Sequence, residues 1–344
     1  MLSAVLAGCG AMSGVWFDAI AKIPSLKLVG LVDLDAGRAE ASAKKYNLNG
    51  INIGTSLQSV LSSSRPQVVF DVAVPVARKD LVLTAFKNGC HVLTEKPMAS
   101  SMADARDILE GVKRYGRTHA VVQNRRYLAN VRRIRRFLDS GALGKPTSVH
   151  CDFFIGPHFG GFREEMDNVL LIDMAIHTFD AARYMVNAAA SNVYCREWNP
   201  ANSWFKAGSS VAAIFELKNS VIFNYRGSWC ADGLKTSWES TWRIICERGT
   251  LVWDGFEDVR AERAISEREG IFSKTESVEV PPLNKTDRVG GHLGVIEDFV
   301  AAIENGLEPE TSGTDNIKSL AMVFGAVESA KSGKPIIVPN FEVH

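Results

Sequence analysis

The sequence predicts an α/β fold in two domains, and three of its features carry that prediction. Its 344 residues exceed the roughly 250–300 at which one hydrophobic core gives way to two. The first third alternates short apolar strands with helical segments across short joints, the pattern of a parallel sheet covered on both faces. The second half strings together strands with β-branched or aromatic alternation and hairpin turns, the signature of antiparallel pairing. Hydrophobic residues make up 46% and charged residues 23% of the chain, as in ordinary soluble globular proteins. No run approaches the ~18–20 apolar residues of a membrane span. Lys+Arg and Asp+Glu each number 39, so no net field draws the chain to nucleic acid or an anionic membrane.

Leu2–Ala7 reads as the first strand, followed by Gly8-Cys9-Gly10-Ala11-Met12-Ser13-Gly14 and a helix to about Ile23. Leu28–Val32 is the second strand and ends at Asp33, with a helix from Ala36 to about Tyr46. A short helix near Leu57–Leu61 leads to the strand Val68–Ala73, and a helix around Leu81–Asn88 leads to the strand His91–Thr94. Glu95-Lys96-Pro97 follows, then the helix Ala103–Tyr115 and the strand His119–Gln123. A first domain over 1–123 and a second over 124–344 result.

The glycine turn has a definite chemistry. Gly8 permits a tight turn, and Gly10 lets the backbone approach a pyrophosphate with no Cβ in the way. Ala11 and Met12 lead into a helix whose free N–H groups and positive dipole end suit phosphate. The usual third glycine is displaced: Ser13 stands at its position and Gly14 comes one later. Asp33, at the end of the second strand, is placed to accept hydrogen bonds from both ribose hydroxyls and to repel a 2′-phosphate, which favours NAD over NADP. Arg38 is the opposing feature, since a nearby Arg accommodates that phosphate; its plainer reading is a solvated residue of the next helix. Lys96 precedes a proline, which bars it from the helical region and presents it from an extended backbone at the carboxyl edge of the sheet.

In the second half, Val149–Phe154, Val193–Trp198, Val211–Leu217, Val221–Ser228, Thr241–Cys246 and Leu251–Trp253 read as strands, with hairpin turns at Asn219-Ser220 and Arg248-Gly249. Helices return at Gly294–Asn305 and Asn316–Ser332 before a final strand, Pro335–Val338. Val169–Met185 (VLLIDMAIHTFDAARYM) lacks Pro and Gly and reads as one helix. On it Asp173 and His177 are four apart and Asp180 three further on, a polar stripe on an apolar helix. Such groups need a polar cleft or an internal network. The six cysteines show no CxxC and no zinc spacing, and they read as reduced, buried thiols of a cytoplasmic protein. Leu6-Ala7-Gly8-Cys9 mimics a lipoprotein processing box, but no basic residue precedes it.

The glycine turn, Glu95-Lys96-Pro97, Asn124-Arg125-Arg126-Tyr127, Asp173-x-x-x-His177-x-x-Asp180, Gly141-Ala142-Leu143-Gly144-Lys145-Pro146 and the late His292…Asp298-Phe299 helix together resemble the Gfo/Idh/MocA family (glucose–fructose oxidoreductase, inositol dehydrogenase and relatives). The resemblance runs nearly end to end. It implies an N-terminal Rossmann dinucleotide-binding domain and a C-terminal α/β domain with a large, open, mostly antiparallel sheet whose free face builds a homodimer or homotetramer. It also implies an NAD(P)-dependent oxidoreductase acting on a sugar, cyclitol or glycoside, with no metal. Lys96 would hydrogen-bond the reacting hydroxyl, His177 would act as general acid/base, and Asp173 would hold the substrate or orient the imidazole. Glu95 and Pro97 would belong to the cofactor loop, and Asn124, Arg125 and Asp180 to the cleft. In some relatives the Lys–Pro bond is cis. Two other activities occur among relatives: NAD-dependent glycosidases that recycle the hydride, and sensors that have lost catalysis. The chain departs from many relatives in having Asp167-Asn168-Val169-Leu170 where glycines precede the Asp…His helix. The loop Gly156–Arg163 is unusual as well; its glycines suggest mobility, and His158 and Arg163 are its candidates for contacting a polar or anionic substituent. Arg163 has an alternative, pairing with Glu164, Glu165 or another carboxylate.

Overall fold

The computed structural model describes residues 1–341, residues 266–269 by their backbone alone. The chain divides into two compact units, residues 1–127 with 288–317, and residues 128–287 with 318–341. A single linear boundary at 123/124 therefore differs from the contacts in two respects: residues 124–127 belong to the first unit, and residues 288–317 return to it. The reason is burial. Val295, Ile296, Phe299 and Val300 of the helix His292–Asn305 enter the same core as Leu6, Trp16, Phe17, Phe70 and Tyr127. The last three residues of the 124–344 domain lie outside the described residues.

The first unit holds six parallel strands: β1 (Leu2–Ala7), β2 (Leu26–Val32), β3 (Asn52–Gly54), β4 (Val68–Asp71), β5 (His91–Thr94) and β6 (His119–Val121). Their order is β3-β2-β1-β4-β5-β6, so the winding reverses between β1 and β4, the place where open sheets of this kind bind ligands. Ala7 is in register with Asp71, and Asp71 with Thr94. The glycine turn after β1 and the Lys96 loop after β5 therefore leave the sheet at one level. Local chemistry agrees with the helices between them. Asp35 and Ser101 accept hydrogen bonds from backbone N–H groups of the first turns at Ala36–Lys45 and Met102–Tyr115, and Gly116 ends the latter in the left-handed conformation. The edge strand β3 was not predicted, because three partly exposed residues carry no apolar alternation.

The second unit is built on β7 (Pro146–Phe154), β8 (Ala190–Trp198), β9 (Ser210–Leu217), β10 (Ile222–Ser228), β11 (Thr241–Cys246), β12 (Gly249–Trp253), β13 (Val259–Glu269), β14 (Phe272–Val278) and β15 (Ile336–Ile337). Among the described residues they form one sheet, β14-β13-β12-β11-β7-β10-β9-β8-β15, antiparallel except where β10 lies parallel to β7. Asn219-Ser220 makes the predicted turn between β9 and β10, with Ser220 at a φ of 65°. The strands β13 and β14 escaped prediction. Val259–Glu269 carries Arg and Glu on both faces, and β14 is almost wholly exposed, so neither shows a buried stripe. The helix Ala129–Asp139 was not assigned either, although Val131, Ile134, Phe137 and Leu138 bury one face.

The stretch Val169–Met185 is helical, but not one regular α-helix. Leu170–Ala175 forms a wider π-helical turn, and Ile176–Met185 continues as α-helix. A π-turn bonds five residues back rather than four, and such turns cluster at functional sites. The α-helical part packs on the sheet through Phe179, whose ring lies 4.7 Å from Phe215, 6.0 Å from Phe223 and 5.2 Å from Tyr225. Replacing Phe179 with Ala removes the centre of that cluster. It is expected to lower the unfolding free energy by about 3–5 kcal/mol, read from urea-induced unfolding; a loss below about 1 kcal/mol would contradict this packing.

Candidate active site

In the first unit a cleft of about 530 Å³ opens at the switch point, lined by Gly8, Gly10, Asp33, Arg38, Ser56 and Ala73 among others. Gly8 has a φ of 104°, and a Cβ there would lie 2.6 Å from the Val72 carbonyl carbon. Only glycine lets the turn pass so close to the segment after β4. At Gly10 an added Cβ would meet no protein atom within 4 Å, so the approach it leaves open is to a ligand. The Ser13 hydroxyl donates to the Gly10 carbonyl at 2.8 Å, which closes the turn in place of the displaced third glycine. Ala11 and Met12 are exposed, and no side chain caps the helix Ser13–Ile20 that follows, leaving its first N–H groups for an anion. Asp33 is held at the rim: its Oδ2 accepts from the Cys9 backbone N–H at 2.7 Å and its Oδ1 from that of Asp35 at 2.9 Å. Arg38 lines the cleft and pairs at 3.4 Å with Asp35 on the surface. This donor set fits a dinucleotide, with pyrophosphate at the turn and ribose at Asp33.

The loop after β5 is clamped from beneath. Glu95 is buried; its Oε1 accepts from Trp16 Nε1 at 2.8 Å and lies 3.1 Å from His292 Nε2. Its Oε2 accepts from the Lys96 backbone N–H at 3.2 Å. The Lys96–Pro97 peptide is cis. Glu95 thus ties the helix of the glycine turn and the helix His292–Asn305 to the backbone that presents Lys96. Asn124 and Arg125 lie in the short turn Asn124–Tyr127, and Asn124 packs within 4.0 Å of where a Gly291 Cβ would sit. The supporting roles of Trp16, Arg78 and Asp71 were not predicted. Asp71 left a signal, as a carboxylate ending the apolar run Val68–Asp71 that must find a partner.

Burial alone would raise the Glu95 carboxyl, but His292, Trp16 and Lys96 together bring it below its ordinary 4.5. A carboxyl lowered by folding contributes stability that is present above its ordinary value and lost as the pH falls below it. Wild-type unfolding free energy should therefore drop more than that of Glu95→Gln between about pH 6 and about pH 3.5, measured with urea at both. Equal drops would contradict the clamp.

In the second unit Asp173 and His177 keep partial exposure, whereas Met174–Ile176 and Thr178–Asp180 are buried. The polar stripe is thus confined to these two residues. Asp180 is a correction: predicted as a cleft residue, it is 0% exposed, with Ser319 Oγ donating to it at 2.5 Å and Arg183 at 3.5 Å. Three residues beyond His177 the helix has turned that position inward, and its carboxylate belongs to an internal network. Arg163 takes the alternative foreseen for it. Its Nε donates to Asp173 Oδ2 at 2.7 Å, with the guanidinium over Phe159 and Phe162 at 5.1 and 4.9 Å. His158 stacks on Trp204 at 3.7 Å, and Trp204 Nε1 donates to the Pro157 carbonyl at 3.1 Å. These contacts, with the Lys206 N–H on the Glu164 carbonyl at 2.7 Å, anchor a loop whose glycines suggested mobility. Asn168 sits at a φ of 52°, which Asn tolerates better than most residues. Among the described residues no cluster of His, Cys, Asp and Glu is arranged to hold a metal ion.

A cleft at the switch point of a parallel sheet, opening on a glycine turn, fits a dinucleotide. Residues 2–123 match the model of the oxidoreductase family with an NAD-binding Rossmann fold, and residues 131–252 that of the GFO/IDH/MocA C-terminal domain. The chain belongs to the Gfo/Idh/MocA family, and its first 123 residues carry that family's NAD-binding Rossmann fold. It is 26% identical to D-apiose dehydrogenase of Paraburkholderia graminis over 98% of this chain and 90% of that one. It is 25% identical to inositol 2-dehydrogenase of Rubrobacter xylanophilus over 97% and 92%. The fold superposes, with a TM-score of 0.86, on an oxidoreductase from Agrobacterium radiobacter crystallised with NAD+, L-tartaric acid and magnesium, at 20% identity and 98% coverage of both chains.

Proposed function

We propose that this protein is a dehydrogenase moving hydride between NAD and a ring hydroxyl or ketone of a sugar, cyclitol or glycoside. The observation that supports it most is the common level at which the glycine turn and the Lys96 loop leave β1 and β5, set by the Ala7–Asp71–Thr94 register. Sugar and polyol dehydrogenases among the relatives point the same way. NAD supplies the hydride acceptor. Lys96 donates a hydrogen bond to the reacting oxygen and favours its developing negative charge. His177 takes the hydroxyl proton in oxidation and returns it in reduction, a role suited to an imidazole near neutral pH. Asp173, fixed by Arg163, accepts hydrogen bonds from the substrate or orients His177. Asn124, Arg125 and His158 are further substrate contacts in this reading.

The test is incubation with NAD, then NADP, against a panel of sugars, inositols and glycosides, following reduced cofactor and any released aglycone. Steady NADH formation is expected with at least one substrate, falling about 10²–10⁴-fold in Lys96→Ala and in His177→Ala. Aglycone release that needs NAD without accumulating NADH would replace net oxidation by a redox-cycling glycosidase. Binding of NAD and sugar with no turnover at all would overturn the enzymatic reading in favour of a sensor.

We further infer that the chain works in the cytoplasm as a homo-oligomer. All six cysteines are free and buried, as suits a reducing compartment, and among the described residues no helix is long and apolar enough to cross a membrane. One face of the large sheet exposes Tyr194, Trp198, Ile214 and Ile245 by 40, 49, 50 and 37%, a patch suited to a second copy. Light scattering should give a multiple of the chain mass, reduced by Ile214→Glu; a wild-type monomer would contradict it.

A further inference from the structure

Beneath the switch point lies a cation that neither the glycine turn nor the Lys96 loop explains. Arg78 is in the first turn of the helix Pro75–Lys87, yet only 1% exposed. Helical side chains lean toward the N-terminus, and this one reaches back under the end of β4. Its Nε donates to Asp71 Oδ2 at 2.9 Å, its Nη2 to the Ala73 carbonyl at 2.6 Å, and its Nη1 to the Pro97 carbonyl. Asp71 in turn accepts from the Ala73 N–H at 2.9 Å, and its own carbonyl accepts from the Glu95 N–H at 2.8 Å. One planar guanidinium therefore joins three segments: the strand end between the two loops, the Ala73 wall of the dinucleotide cleft, and the residue directly after Lys96.

We propose that Arg78 is a positioning residue of the reaction, holding the Lys96 backbone and the Ala73 wall of the NAD cleft in one fixed relation. The proposal rests on the reading in which Lys96 meets the reacting oxygen. Its geometry is specific to arginine. The fork offers donors in three directions within one plane, whereas a lysine ammonium brings its donors from a single point. A lysine at 78 keeps the charge opposite Asp71 but cannot hold Asp71, Ala73 and Pro97 together. A merely structural ion pair would tolerate that exchange at the site itself.

The test uses the full chain and needs no substrate. NADH affinity is measured by fluorescence titration, and the acylation rate of Lys96 by acetic anhydride is read by mass spectrometry, with the exposed Lys206 as internal standard. In Arg78→Ala, NADH binding is expected to weaken at least fivefold and Lys96 reactivity to change at least threefold relative to Lys206. Millimolar guanidinium is expected to restore both. If Arg78→Ala does not fold, Arg78→Lys carries the same comparison, with the same thresholds and no rescue. Unchanged affinity and reactivity in a folded variant, whatever its melting temperature, would overturn the proposal and leave Arg78 a core ion pair. Because neither readout depends on turnover, this failure is distinct from that of Lys96 as a catalytic group, which Lys96→Ala tests by its effect on hydride transfer.

Discussion

The first unit depends on the parallel register of β1, β4 and β5. Backbone hydrogen bonds that match Ala7 to Asp71 and Asp71 to Thr94 set where the glycine turn and the Lys96 loop begin. Everything chemical in this unit then hangs from those strand ends. Gly8 packs against Val72 because β4 ends beside it, and Glu95 reaches Trp16, on the helix after the glycine turn, from the end of a strand held at the same level. The sheet supplies the level, and buried polar side chains lock what leaves it.

That locking has a cost the fold must recover. Glu95, Asp71 and Arg78 are among the most buried charged groups of the chain. Charges withdrawn from water are tolerated only when fully paired. Each is: Glu95 by an indole, an imidazole and a backbone amide, Asp71 by Arg78, and Arg78 by a carboxylate and two carbonyls. In the second unit the same rule separates two carboxylates on one helix. Asp180, turned inward, is satisfied by Ser319 and Arg183, whereas Asp173, mostly buried but reaching the surface in the wider π-turn, is held by an arginine from an aromatic loop. Its Arg163 partner fixes the carboxylate's direction.

The sequence made the strands and helices around the first sheet legible because fully buried parallel strands leave near-continuous apolar runs. Asp173 and His177 stood out in the sequence as polar positions four apart on an apolar helix, and Lys96 as a lysine before a proline at the end of a strand. What it hid shares one physical cause, dependence on neighbours distant along the chain. The return of residues 288–317 to the first core, the pairing of Trp16 with Glu95 across 79 positions and the reach of Arg78 to Pro97 leave no local pattern. The strands β13 and β14 were hidden for the opposite reason, since exposed charges on both faces erase the period-two signal. The π-turn was invisible because one extra residue per turn leaves the same apolar composition.

A crystal structure of the protein soaked with NAD would test the central claim most directly. The account predicts the pyrophosphate over Gly10 and the first turn of the helix Ser13–Ile20, the adenosine ribose on Asp33, and the nicotinamide ring alongside Lys96. A dinucleotide bound elsewhere, or one whose nicotinamide points away from the Lys96 loop, would contradict it.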